Sequence, residues 1–295
     1  MHLTEEQISS FIENGYLVVE DLLGPEDLQP VIDEYSQLID DRANRLKEEG
    51  KLDRLHEGEP FHRRLMFLAE QAPEIAGGLD IMQVRGESTF RFLMNPKILD
   101  VAESLCSSEI VCNPIQHIRA ILPQKEEGSR PTPWHQDAGV AWPDADPYFM
   151  LTVWVAIVDA TLENGCLEII PKSHELGLLE HAYSPRGLDV VPEAHPPIEP
   201  LPVPIKAGGV ILFNNYNMHR ARRNLSDTVR WSFDLRYHDA YQPSGRPHYP
   251  SFLFRSKLRA EKLQTDYSTW ADRWEFALKS TRGTQNYRWP KPDDS

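Results

Sequence analysis

Cysteine is scarce: the chain has three, Cys106, Cys112 and Cys166, an odd number with no C-x-x-C spacing. That excludes a disulfide-stapled scaffold and a cysteine-rich zinc module, and it makes a reducing cytoplasm the expected compartment. Positive charge is in deficit as well. The 31 Lys and Arg stand against 45 Asp and Glu, a formal net charge of -14, and the mean field of such a molecule repels phosphate. Nucleic acid and anionic membrane surfaces are therefore not expected partners. Long hydrophobic runs are missing too. The most apolar stretch, Tyr148 to Val158, falls short of the roughly 20 residues a membrane-spanning helix needs and reads as a buried strand. The opening residues MHLTEEQISSF carry neither the basic nor the apolar region of a secretory signal. What is present, 40% hydrophobic and 26% charged residues in a chain of 295, is the composition of a globular protein with room for a sizeable core.

Along the chain, the first third reads as largely helical. Thr4 and Gln7 form a capping box ahead of Ile8, Phe11 and Ile12, and Asn14-Gly15 is the stop. A short strand, Tyr16 to Val19, follows. A second helix opens at Pro25, where a missing N–H costs nothing, and places Leu28, Val31, Ile32, Tyr35, Leu38 and Ile39 on one face. The charged residues from Asp40 to Glu59 are expected to end in a surface loop, and Asn95-Pro96 starts another helix through Leu105. From about Ile115 the pattern changes to short β-rich runs: Ile118 to Leu122, Leu151 to Val158, Cys166 to Ile170, Val203 to Ile205, Val210 to Phe213 and Val229 to Tyr237. Strands without intervening helices indicate a sandwich or barrel, and the proline-rich Pro192 to Pro204 reads as an extended connection. The chain is expected to be one unit, with residues 1–110 mainly helical, 111–240 the β core and 241–295 a C-terminal extension.

Chemistry concentrates in that β core. Trp134-His135-Gln136-Asp137 contains an H-x-D pair, and on a strand residues i and i+2 share a face. Chance supplies roughly 0.75 such pairs in a chain of this composition, so the pair alone says little. Two histidines and a carboxylate form a facial triad that leaves adjacent metal positions open. His219, after the strand Val210 to Phe213 and the turn Asn214-Asn215, is the candidate third ligand. Downstream, Val229-Arg230-Trp231-Ser232-Phe233-Asp234-Leu235-Arg236-Tyr237 alternates strictly. Arg230 can pair bidentately with the far carboxylate of a dicarboxylic acid whose other end chelates the metal. For Gln116 and Arg119, which could face the pocket, core and surface placements stand equally open. Arg220, Arg222 and Arg223 read as a solvated cluster, Cys166 as a small buried residue, and His174 as a loop-stabilising one.

The order W-H-Q-D, Thr152-x-Trp154, Glu163-Asn164-Gly165-Cys166-Leu167, Pro171-x-Ser173-His174, Ala207-Gly208-Gly209, His219 and Arg230 resembles the phytanoyl-CoA dioxygenase family. The resemblance spans most of the chain, including Gly15-Tyr16-Leu17-Val18-Val19 ahead of a proline-started helix. It implies a mainly β fold, a double-stranded β-helix (jelly-roll, cupin-like) core with N-terminal helices packed on it. It also implies Fe(II) held by His135, Asp137 and His219, with 2-oxoglutarate and O2 as cosubstrates. Trp154 matches a position lining the cosubstrate pocket, and Gln116 and Arg230 complete the expected cosubstrate set. Related halogenases place a small residue where Asp137 stands, so a hydroxylation or kindred oxidation of a small molecule is expected rather than halogenation. Lys172 and Ala221 depart from common family residues without touching the triad. Two rivals use the same residues: a zinc hydrolase or isomerase, and a non-catalytic jelly-roll binding protein.

Overall fold

Thr4 accepts a hydrogen bond from the Gln7 backbone N–H while the Gln7 side chain reaches back to Thr4 N–H, and this capping box starts α1 (Glu5–Asn14). In the computed structural model, which describes residues 1–81, 83–124, 132–184, 187–282, 284, 288 and 289, Gly15 ends that helix at φ 77°. The chain then enters β1 (Tyr16–Val19). Helix α2 (Pro25–Glu48) starts at its proline and takes in the first part of the charged segment, because Ala43 and Leu46 prolong the buried row from Ile39 while the charges sit on the other faces; the expected loop follows it. Helices α3 (Phe61–Gln71), α4 (Glu87–Leu93) and α5 (Pro96–Leu105) complete the N-terminal part.

The β core comprises β2 (Ile110–Cys112), β3 (His117–Ile121), β4 (Met150–Ala156), β5 (Leu167–Ile169), β6 (His181–Ser184), β7 (Gly187–Val190), β8 (Leu201–Val203), β9 (Val210–Asn214), β10 (His219–Ala221), β11 (Arg230–Asp239) and β12 (Phe252–Arg255), followed by α6 (Tyr267–Ser280). Among the described residues the larger sheet has seven strands in the order β1-β9-β4-β11-β2-β12, with β3 also on β11. A three-stranded sheet, β10-β5-β8, lies against it, and β6-β7 is a hairpin. Every pairing is antiparallel.

Alternation along β4 and β11 produces two interiors. Leu151, Val153 and Val155 join Trp231, Phe233, Leu235 and Tyr237 on the face covered by the helices. Tyr35 of α2 meets Trp231 edge-on with ring centroids 5.8 Å apart, and Phe92 of α4 stacks on Phe233 at 4.8 Å. On the opposite face Trp154, Ala156, Ile211 and Phe213 pack against Leu167, Ile169, Val203 and Ala221 of the smaller sheet. Two facing antiparallel sheets with helices on one outer face are the expected double-stranded β-helix.

Two local expectations need correcting. The H-x-D pair does not lie on a continuous strand: His135 makes an isolated bridge to His219, and Asp137 begins a 3-10 turn, Asp137–Val140. The proline-rich connection contains a 3-10 turn, Pro192–Ala194, and the short strand β8, where Pro202 at the middle position pairs with Glu168.

Candidate metal centre and its cavity

His135 and His219 are direct cross-strand neighbours. His135 N–H donates to His219 C=O at 3.1 Å and His219 N–H donates to His135 C=O at 3.0 Å, which brings the two rings to 4.3 Å between centroids. Because β10 is held by β5, with His219 opposite Ile169, the smaller sheet fixes both imidazoles. The 3-10 turn swings Asp137 beside them, and Ala138 N–H pins that turn to Asn215 C=O at 2.9 Å, in the loop between β9 and β10. Gln136, between the ligands, is fully buried and serves the loops: its amide donates to Gly177 and Tyr216 carbonyls and accepts from Leu179 N–H. Ligand atoms of His135, Asp137 and His219 all lie within 4.8 Å of one another.

The protonation states suit a metal. His135 Nδ1 sits 2.9 Å from Pro133 C=O and His219 Nδ1 sits 3.0 Å from Asn217 C=O. A carbonyl only accepts, so each Nδ1 carries the proton and each Nε2 keeps a free lone pair. Burial, reinforced by the neighbouring His219, pushes His135 down to about 4, and burial also lowers His219. Both rings are neutral at pH 7. Burial alone would raise Asp137, but the Arg236 charge overrides it and holds the carboxyl well below the usual carboxylate range.

Arg236 is the residue that sequence reading left without a role. Its Nε donates to Asp137 Oδ2 at 3.0 Å and its Nη2 to Oδ1 at 2.7 Å, and the Thr152 hydroxyl donates to Oδ2 as well. Thr152 and Arg236 face each other across β4 and β11. The signal available in sequence was the period of two, which puts Arg236 on the face of Arg230.

A cavity of about 290 Å³ opens beside the imidazoles, walled by Trp154, Phe213, Leu167 and Val140, with Arg230 inside and Arg119 also on its lining. Arg230 is 1% exposed. Its Nη1 donates to Ser232 Oγ at 2.5 Å, its guanidinium lies over Trp154 at 5.3 Å, and its Nε has no partner among the described residues. Burial lowers it to about 10, which leaves it cationic at pH 7. Gln116 is absent from the lining: its amide nitrogen donates to Asn113 and Arg236 carbonyls at 2.7 Å each, and its oxygen accepts from Arg236 N–H at 3.3 Å. Arg220 and Arg222, expected in solvent, instead clasp the buried Glu168, and Arg220 also covers Trp134 at 4.5 Å. His174 donates to Ile12 C=O at 3.1 Å, and Cys166 is fully buried.

Two neutral imidazoles, a carboxylate and a cationic anchor around one partly apolar cavity meet the needs of iron- and 2-oxoglutarate-dependent oxygenase-type enzymes, and that is the class to which this protein belongs. The model of the phytanoyl-CoA dioxygenase (PhyH) family matches residues 11–232; the chain belongs to that family. A phytanoyl-CoA dioxygenase domain-containing protein 1 from Danio rerio is 27% identical over 259 residues, 77% of this chain and 87% of that one. Its counterpart from Rattus norvegicus is 32% identical over 133 residues, 41% of this chain and 43% of that one. The fold is that of the epimerase SnoN from nogalamycin biosynthesis, solved with Fe3+, alpha ketoglutarate and nogalamycin RO (TM-score 0.56, 23% identity, 82% of this chain and 86% of that one). The non-heme monooxygenase ThoJ shares it too (TM-score 0.62, 18% identity, 95% and 100%).

Proposed function

We propose that the protein is an Fe(II)- and 2-oxoglutarate-dependent dioxygenase that hydroxylates or otherwise oxidises a small molecule, with residues 1–295 acting as one oxygenase domain. His135 and His219 would hold the iron through Nε2 and Asp137 through its carboxylate. The observation that carries the reading is the pairing of this cluster with Arg230, a buried cation that keeps an unpartnered N–H in the same cavity. A buried donor without a partner is costly. The distal carboxylate of 2-oxoglutarate would supply the acceptor, whereas a zinc hydrolase leaves Arg230 without a task.

When bound, iron with 2-oxoglutarate and O2 supplies the oxidising chemistry, with release of succinate and CO2. The chain's own contribution is positional. The backbone carbonyls of Pro133 and Asn217 fix the imidazole tautomers, Arg230 orients the cosubstrate, and Trp154 and Phe213 keep water from the buried end of the cavity. A cavity of about 290 Å³ lies at the small end of ligand sites, and the acidic chain disfavours a polyanionic CoA ester. Compact small molecules or natural products are therefore the substrate class. A screen for substrate-stimulated, oxygen-dependent conversion of 2-oxoglutarate to succinate tests the proposal. Turnover supported by zinc without oxygen, or bound iron with no conversion by any candidate, would refute it.

A further inference from the structure

We propose that Arg236 is a positioning residue for the metal centre: its side-on grip leaves Asp137 one lone pair, on Oδ1, and so makes the aspartate a one-oxygen ligand. This rests on Asp137 being a metal ligand. An ionised carboxylate offers about four in-plane lone-pair directions. Among the described residues Oδ2 accepts from Arg236 Nε and the Thr152 hydroxyl, whereas Oδ1 accepts only from Arg236 Nη2. Oδ2 is therefore filled and Oδ1 is not. A chelating aspartate would use both oxygens and take a metal position needed for cosubstrate or oxygen. The grip guards that position.

The clamp is itself firmly held. Arg236 Nη1 donates to Asp234 C=O at 3.0 Å and faces Ile115 C=O at 3.4 Å, and the residue is 4% exposed. Its carbonyl accepts from Asn113 N–H at 2.9 Å and from Gln116 Nε2 at 2.7 Å, while its N–H donates to Gln116 Oε1 at 3.3 Å. Gln116 thus acts as a substitute strand neighbour, filling the gap where β11 passes from β3 to β2. Two arms of one rigid guanidinium then fix the plane of the Asp137 carboxylate, a geometry that a lysine cannot copy.

Cobalt(II) titration of the full chain, followed by visible absorption, tests this. Arg236→Lys keeps the charge and loses the fork, and Arg236→Gln loses both. Each is expected to weaken Co(II) binding about 10-fold or more and to change the intensity and position of the bound-Co(II) bands as Asp137 swings toward chelation. A wild-type affinity and spectrum in folded Arg236→Lys, with only a lower melting temperature, would overturn the clamp and leave Arg236 a structural counter-ion. Should neither variant fold, a Co(II)-minus-apo infrared difference spectrum of the wild type decides. A wide separation of the carboxylate stretches supports one-oxygen binding and a narrow one refutes it. If the wild type fails to bind Co(II), or His135→Ala binds it equally well, the metal-centre reading falls and the clamp with it. Normal wild-type binding with unaltered Arg236 variants removes the clamp alone.

Discussion

A buried carboxylate and its arginine depend on each other, so Asp137 has two functions that one substitution removes together. Asp137→Ala should abolish metal-dependent turnover, and it also strands the buried Arg236 charge, which costs about 3–5 kcal/mol. A urea melt of the metal-free variant should show that loss; an unchanged midpoint would contradict the Asp137–Arg236 pair. Arg230→Ala is the converse case, because among the described residues Arg230 makes no direct ion pair, and Asp234 on the same cavity lining reaches it only through Ser232. It should weaken 2-oxoglutarate binding roughly 10- to 100-fold and leave Co(II) affinity within error, and unchanged cosubstrate affinity would move the anchor elsewhere. The two histidines give the metal-free protein a pH signature. Their folded pKa values lie below the ordinary 6.5 that the unfolded chain retains, with His135 at about 4. Below pH about 6.5 the unfolded state binds more protons, so stability falls with pH until about pH 4. At pH 5 their share of the loss should be roughly 1–2 kcal/mol relative to pH 7; the double variant His135→Ala, His219→Ala should lose that share and keep the part that His117, His181 and His238, also lowered by burial, contribute. Metal release is displaced in the same direction, below the ordinary histidine range.

At the scale of elements, Gly15 joins the helix α1 to the site. It takes φ 77°, its carbonyl accepts from Asn214 N–H at 2.9 Å, and an added Cβ would come within 2.3 Å of both His174 Nδ1 and Asn217 Oδ1. Gly15→Ala should therefore cost more than the about 1 kcal/mol of a left-handed residue alone. It should also disturb the Asn217 segment that orients His219, seen as a weaker Co(II) complex. Elements with an unambiguous local code were legible in sequence: the capping box of α1, the proline start of α2, the Asn95-Pro96 entry to α5, and the alternation of β11. Those fixed by partners distant in the chain were not. Where within Asp40 to Glu59 the helix gives way to the loop depends on what Ala43 and Leu46 pack against, and it does so after Glu48. The 3-10 turn at Asp137 exists because Asn215 and Arg236 receive it. The role of Arg236 was hidden for the same reason, since a polar strand position shows its facing direction but not its partner.

Seen whole, the larger sheet separates a helix-packed interior from a cavity, and neighbouring residues of one strand serve opposite sides. Trp231→Ala should cost about 3–5 kcal/mol while leaving 2-oxoglutarate and Co(II) affinities unchanged in the folded fraction; a shift in either affinity would show that the two interiors are coupled. Strand β11 carries this division along ten residues, which makes it behave like a reading frame. A single-residue deletion within it would turn Trp231, Phe233 and Leu235 toward the metal and drive arginine and aspartate among the rings of Tyr35 and Phe92. No substitution repairs such a shift, and only a second length change in the same strand restores the phase. Length in β11 is thus held more tightly than the identity of most of its residues.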